Sequence, residues 1–128
     1  MALREQLRLM VVDDMSTSRG LITQALDSIG IRNVATASDG ASALQAVLKS
    51  PVHLVISDYN MPGMDGLHLL HYLRNTPQTA KVGFLLITGR AEPAIIDKGR
   101  KLGMNNFLKK PFETADMKAA IEAIVGRL

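Results

Sequence analysis

His53-Leu54-Val55-Ile56-Ser57 is a short run that stops on Asp58, where the loop Tyr59-Asn60-Met61-Pro62-Gly63-Met64-Asp65-Gly66 begins. The run is apolar without alternation, the pattern of a strand buried on both faces. Proline and glycine in the loop interrupt any regular element. A strand of this kind belongs inside a parallel sheet covered by helices on either side.

The same pattern recurs outward in both directions. Leu7-Arg8-Leu9-Met10-Val11-Val12 is a first strand that ends abruptly at Asp13-Asp14. Ser16 is placed to cap a helix that runs through Leu21, Ile22, Ala25, Leu26 and Ile29 at helical spacing, with Gly30 as its stop. Asn33–Ala37 is a second, weaker strand. Asp39 caps the next helix, with Ala43, Leu44, Val47 and Leu48 inward and Ser50-Pro51 closing it. After the Asp58 loop, Leu67, Leu69, Leu70 and Leu73 mark a third helix. Val82–Ile87 is a fourth strand ending at Thr88-Gly89, and Pro93 suits the first turn of a fourth helix that closes near Gly103. Asn106–Lys109 is a fifth strand, cut short by Pro111. A last helix starts at Glu113 or Thr114 and carries Met117, Ala120, Ile121, Ile124 and Val125. Five strand–helix units with short connections give an α/β fold: a five-stranded parallel sheet with helices on both faces and right-handed crossovers. No linker or repeat divides the chain, so residues 1–128 read as one domain.

Composition narrows the function classes. At 128 residues and 47% apolar content, the chain can bury one core and not two. It has no cysteine, which removes disulfides, cysteine-ligated zinc and thiol nucleophiles. No apolar run is long enough to span a bilayer, so no membrane insertion is expected. Met1 to Leu7 contains Arg4 and Glu5 and does not read as a signal peptide, so a cytoplasmic location is expected. The net charge of +3 comes from dispersed lysines and arginines, with only 4% aromatic residues, so no direct nucleic-acid binding is expected.

The informative polar residues all fall at strand ends. Asp13 and Asp14 follow strand 1, Asp58 ends strand 3, Thr88 ends strand 4 and Lys110 ends strand 5. Ligands of open α/β sheets bind outside the carboxyl ends of the strands. Taken singly, each residue reads as a solvated turn acid, a cap, a strand-end hydroxyl or a surface cation; jointly they converge on one site. Crowded carboxylates favour a hard divalent cation, and an oxygen-only donor set favours magnesium. Asp13, Asp14 and Asp58 would hold it, with the backbone carbonyl of Asn60 as a further oxygen. Phosphoryl transfer needs positioning and charge neutralisation above all. Asp58 would act as nucleophile, Lys110 as a point charge on the opposite side, Thr88 as a hydroxyl donor and Gly89 as the residue that leaves room beside it.

These motifs, Val11-Val12-Asp13-Asp14, Asp58 through Gly66, Thr88-Gly89 and Lys110-Pro111-Phe112, span the chain in order. By them the chain resembles the receiver domain of two-component response regulators, most closely the single-domain, CheY-like chemotaxis regulators. The resemblance implies a flavodoxin-like receiver fold with strand order 2-1-3-4-5, an order that general accounts of doubly wound sheets already give for this family. It implies Asp58 as phosphoacceptor, Asp13 and Asp14 as metal ligands, Thr88 as switch hydroxyl, Lys110 as phosphate sensor, and a cis bond before Pro111. It implies a histidine kinase as phosphodonor. Asn60 and Arg90 occupy the positions that tune the lifetime of the phosphorylated state. The switch aromatic, often tyrosine in chemotaxis regulators, is Phe107 here, so readout through a ring hydroxyl is lost.

Three functions fit these residues. One is a monomeric switch that binds a target such as the flagellar motor switch, with a phosphatase as a further candidate partner. Another is a phosphorelay intermediate or phosphate sink. The third, a true phosphohydrolase, would want an acid where Asn60 stands, so the chain reads as no enzyme beyond its own phosphorylation and dephosphorylation. The output face is expected from the fourth helix, fifth strand and last helix, with Ile95, Lys98, Leu108 and Lys118 as candidates and Thr88 and Phe107 as the switch.

Overall fold

The computed structural model describes residues 2–128. Its elements are α1 (Leu3–Gln6), β1 (Arg8–Val12), α2 (Ser16–Ile29), β2 (Asn33–Ala37), α3 (Gly40–Lys49), β3 (Leu54–Asp58), α4 (Gly66–Arg74), β4 (Gly83–Thr88), α5 (Pro93–Lys101), β5 (Asn106–Lys109) and α6 (Thr114–Val125). The strands form one sheet in the order β2-β1-β3-β4-β5, and every pair is parallel. The expected strand order is therefore observed. The short α1 was not expected, so the anticipated fourth and last helices are α5 and α6.

Alternation along the central strands splits the core in two. Met10, Val12, Val55, Phe84 and Leu86 point to one side, under α3, α4 and α5. Leu9, Val11, Leu54, Ile56, Leu85 and Ile87 point to the other, under α2 and α6. Both sets are fully buried, which is why these strands show no apolar–polar alternation in sequence. β2 and β5 are the sheet edges and are less buried throughout.

Several boundaries and faces differ from expectation. β1 begins at Arg8, β3 runs from Leu54 through Asp58, and β4 runs from Gly83 through Thr88. Ser16 is the first residue of α2 and does not cap it; Met15 holds the cap position without a side-chain bond. The Met15 N–H goes to Asp13 Oδ1 at 3.0 Å, so an acid two residues back satisfies the N–H of the cap residue itself. Leu21 (60% exposed) and Leu48 lie on the outer faces of α2 and α3. Gly30 closes α2 in the left-handed conformation (φ +99°), as its position implied.

Asp39 caps α3 as expected, accepting the Ser42 N–H at 2.7 Å and the Ser42 hydroxyl at 2.9 Å. The Ser42 backbone bond, then its hydroxyl, hold the Asp39 carboxyl below the usual carboxylate range. A depressed folded value means that the capping stabilisation is complete above the unfolded aspartate value and is lost as pH falls through the folded one. Asp39→Ala should therefore lower Tm by roughly 2–5 °C at neutral pH. Thermal melts across the acid range should show the gap closing; a gap that ignores pH would assign the loss to packing.

Candidate functional site

Register brings the site together. Val12 lies opposite Ser57, Asp58 opposite Ile87, and Thr88 opposite Lys109. The residues that follow or end these strands meet at one sheet edge, where β1 is flanked by β2 on one side and β3 on the other, the point at which successive connections diverge.

Asp13 is completely buried. Its N–H continues the ladder to Ala37 O at 3.1 Å, its carbonyl accepts from Arg19 Nη1 at 2.8 Å, and its Oδ1 accepts from Met15. Oδ2 is buried and has no hydrogen-bond partner. Asp14 beside it is exposed. Asp58 is buried, and its strand end is pinned from both sides. Tyr59 N–H donates to Ile87 O at 2.9 Å, and the Ser57 hydroxyl donates to Asp58 O at 2.9 Å. Asp13, Asp14 and Asp58 each offer a carboxylate oxygen, all within 4.8 Å of one another.

Lys110 enters from the far side. Its N–H is held by Thr88 O at 2.8 Å, and the Lys110–Pro111 peptide is cis. The ammonium lies 3.1 Å from Asp58 Oδ1 and 3.8 Å from Asp13 Oδ2. It also donates to Ser18 Oγ at 3.0 Å. Burial pushes the Asp58 carboxyl above its ordinary value; the Lys110 hydrogen bond and charge pull it back, and the Asp13 charge adds to the rise. Asp58, the acid pair Asp13 and Asp14, and Lys110 are thus brought together as expected.

The remaining expected residues divide. Thr88 is buried at the same edge, but its hydroxyl is occupied: it accepts from Arg90 N–H at 2.9 Å and donates to Arg90 O at 3.2 Å. Asn60 and Gly89 are exposed in the loops after β3 and β4. Arg90 is exposed and paired with Glu92 at 3.8 Å. Phe107, opposite Leu86, is half-buried against the core under α4 and α5. Ile95 packs on that same core, and Lys98 and Lys118 are exposed. Leu108 does not stand free on this face. It follows Phe107 in an extended strand, so it points to the other side of the sheet and packs with the α2–α6 core. Ser18 and Arg19 are site residues that sequence reading missed. The one available signal was that α2 begins directly after the acid pair, so its first turn must border the pocket.

A doubly wound parallel sheet with three acids, a hydroxyl and a lysine at the carboxyl edge defines the receiver class of α/β domains. The chain belongs to the response regulator receiver domain family, whose pattern it matches over residues 9–122. It is 41% identical over 128 residues to a probable chemotaxis protein CheY of Rhizobium etli, covering 100% of this chain and 99% of that one. It is 33% identical over 126 residues to chemotaxis protein CheY-3 of Vibrio cholerae, covering 98% and 97%. The structure of Vibrio cholerae CheY4 superposes with a TM-score of 0.86 at 28% identity, over 92% of this chain and 98% of that one. The protein is a CheY-like receiver domain. Among the described residues, no helix is long and apolar enough to cross a membrane.

The loop after Asp58 is fixed by close approach. Asp65 caps α4 by accepting the His68 N–H at 2.8 Å, and Gly66 N–H donates to Tyr59 O at 2.9 Å. A Cβ on Gly66 would lie 2.5 Å from Asp58 O and 2.9 Å from Leu86 Cδ1. Gly66→Ala should therefore cost about 1–3 kcal/mol in urea unfolding. Gly89 has nothing within 4 Å of its Cβ position. Gly89→Ala should stay within about 0.5 kcal/mol of the parent. Equal effects at the two glycines would contradict the close-approach reading.

Proposed function

We propose that this receiver accepts a phosphoryl group on Asp58 from a histidine kinase and passes the signal on by a change of shape. The observation that carries this is the Lys110 ammonium 3.1 Å from Asp58 Oδ1, inside a pocket where Asp13 Oδ2 is buried without a hydrogen-bond partner. An orphaned buried carboxylate oxygen beside two further acids fits a divalent cation. The donors are all oxygen, which suits magnesium; Asp13, Asp14 and Asp58 would hold it, with the Asn60 carbonyl as a further ligand. When bound, the ion would supply charge neutralisation for the phosphoryl oxygens.

The chain's own residues do the rest. An Asp58 carboxylate oxygen attacks the phosphorus of a phosphohistidine; the P–N bond breaks, a P–O bond forms, and the imidazole leaves as an acyl phosphate is made. Lys110 supplies a positive charge to the transferred group. Thr88 can donate to a phosphoryl oxygen only by giving up its bond to the Arg90 carbonyl, which frees the loop between β4 and α5. Phe107, half-buried beside that loop's core, is then free to move inward. The output face is α5, β5 and α6, with Ile95, Lys98 and Lys118 as its contacts and Leu108 as a supporting residue beneath it. Asn60 and Arg90, both exposed, set how water reaches the acyl phosphate. The protein acts on itself alone and turns over no separate substrate. We assign it to the cytoplasm as a monomer, with the histidine kinase, a motor switch protein and a phosphatase as its partners. A phosphorelay intermediate or phosphate sink would use the same pocket; the chemotaxis names of its relatives favour the switch.

Phosphoramidate with magnesium should label the wild type on a single residue, read by peptide mass spectrometry. Asp58→Asn or chelation should abolish the label, and full labelling of Asp58→Asn would overturn the assignment. Phe107→Ala should leave labelling intact and reduce the gain in affinity for a motor-switch peptide on phosphorylation. An equal gain in both proteins would reduce Phe107 to a core residue. No gain in either would favour the phosphate-sink reading.

A further inference from the structure

Ser18 lies in the first turn of α2, a helix that the phosphotransfer chemistry does not otherwise use. Its hydroxyl oxygen accepts the Lys110 ammonium at 3.0 Å across 92 residues of sequence. Among the described residues it is the one uncharged side chain hydrogen-bonded to that ammonium. Lys110 is thereby held at both ends: its backbone N–H by Thr88 O at 2.8 Å, its tip by Ser18. A lysine stem has several free rotations and little geometric preference of its own, so a restraint at the tip decides where the charge sits.

The other attractions on the ammonium are Asp58 Oδ1 at 3.1 Å and Asp13 Oδ2 at 3.8 Å. Both belong to acids that a bound cation would engage, and their pull on Lys110 would weaken when that charge is neutralised. A neutral hydroxyl on α2 does not change in this way. The alternative place for the ammonium is also visible. Ser18 and Lys110 together line a groove of about 560 Å³, whose other walls include Leu21, Ala25, Pro111 and Phe112. Without the Ser18 acceptor, the lysine tip has open space on that side.

We propose that Ser18 is a positioning residue for phosphotransfer, holding the Lys110 ammonium beside Asp58 rather than in the groove between α2 and the Pro111 loop. The proposal rests on Asp58 being the phosphoacceptor. It assigns no chemistry to Ser18 itself, which acts through Lys110.

The test compares Ser18→Ala and Ser18→Thr with the wild type, each checked by thermal melt. Labelling of Asp58 by phosphoramidate should slow by about three- to tenfold in Ser18→Ala, the range for loss of one hydrogen bond of ordinary net strength. Ser18→Thr, which keeps a hydroxyl, should recover most of the rate. In a Lys110→Ala background, Ser18→Ala should have no further effect. Magnesium affinity should stay within about twofold, since Ser18 holds no acid. A second readout needs no phosphorylation: the two Lys110 Hε protons should be resolved in NMR spectra of the wild type and Ser18→Thr, and averaged in Ser18→Ala. An unchanged rate and unchanged Lys110 signals in Ser18→Ala would overturn the proposal. So would an equal loss from Ser18→Ala in the presence and absence of Lys110. If the wild type takes no label on Asp58, the phosphoacceptor reading fails, and the Lys110 signals still decide whether Ser18 tethers the ammonium.

Discussion

Crowding of like charge is the constraint on which the rest of this molecule depends. The parallel register of β1 and β3 sets Val12 opposite Ser57, so the acids that follow must meet at the same edge. Two full charges within the 4.8 Å that contains the three carboxylates repel by at least about 3 kcal/mol at an effective dielectric near 20. Lys110 offsets part of this from the opposite side, and burial raises the Asp58 carboxyl further against ionisation. One ammonium against three acids leaves the pocket negative. The fold therefore maintains an electrostatic cost at one edge, which apolar packing between the helices and both faces of the sheet sustains.

The surroundings of the pocket are built to hold that arrangement still. Ser57 and Tyr59 anchor the Asp58 backbone, Gly66 allows α4 to start against it, and Arg19 and Met15 fix Asp13. The contrast lies at Thr88, whose hydroxyl is bonded on both sides to the backbone of Arg90 in an otherwise exposed loop. The rigid side of the site faces β1 and β3; the replaceable bonds face β4 and α5. Under the proposed phosphorylation, a change of charge at Asp58 would find an outlet in that direction, toward the helix and edge strand that carry Ile95 and Phe107.

Much of this was legible in the sequence, for a physical reason. The buried strands β1, β3 and β4 read as unbroken apolar runs that stop on polar residues, and β5 stops at Lys110-Pro111, so Asp13, Asp58, Thr88 and Lys110 are assigned to one edge by the sequence. β2 and β5 match their expected limits. What failed was decided by tertiary context. Leu21 and Leu48 are apolar at helical spacing, yet the sheet covers a narrower stripe of each helix than the pattern occupies. Ser16 does not cap because the helix already includes it, with Met15 in the cap position. Leu108 is different: alternation along β5 already placed it opposite Phe107, and the pattern was there to be used. Ser18 carried no signal beyond its place beside the acid pair, because a serine on a first turn looks the same whether or not a lysine from 92 residues away reaches it.

The account stands or falls on whether the acid pocket is a cation site in the resting protein. Calorimetric titration of magnesium into the unphosphorylated chain measures this directly. The expected result is a single saturable site per chain that Asp13→Asn abolishes while the variant remains folded. Absence of binding to the wild type, or binding unchanged in Asp13→Asn, would contradict the central claim.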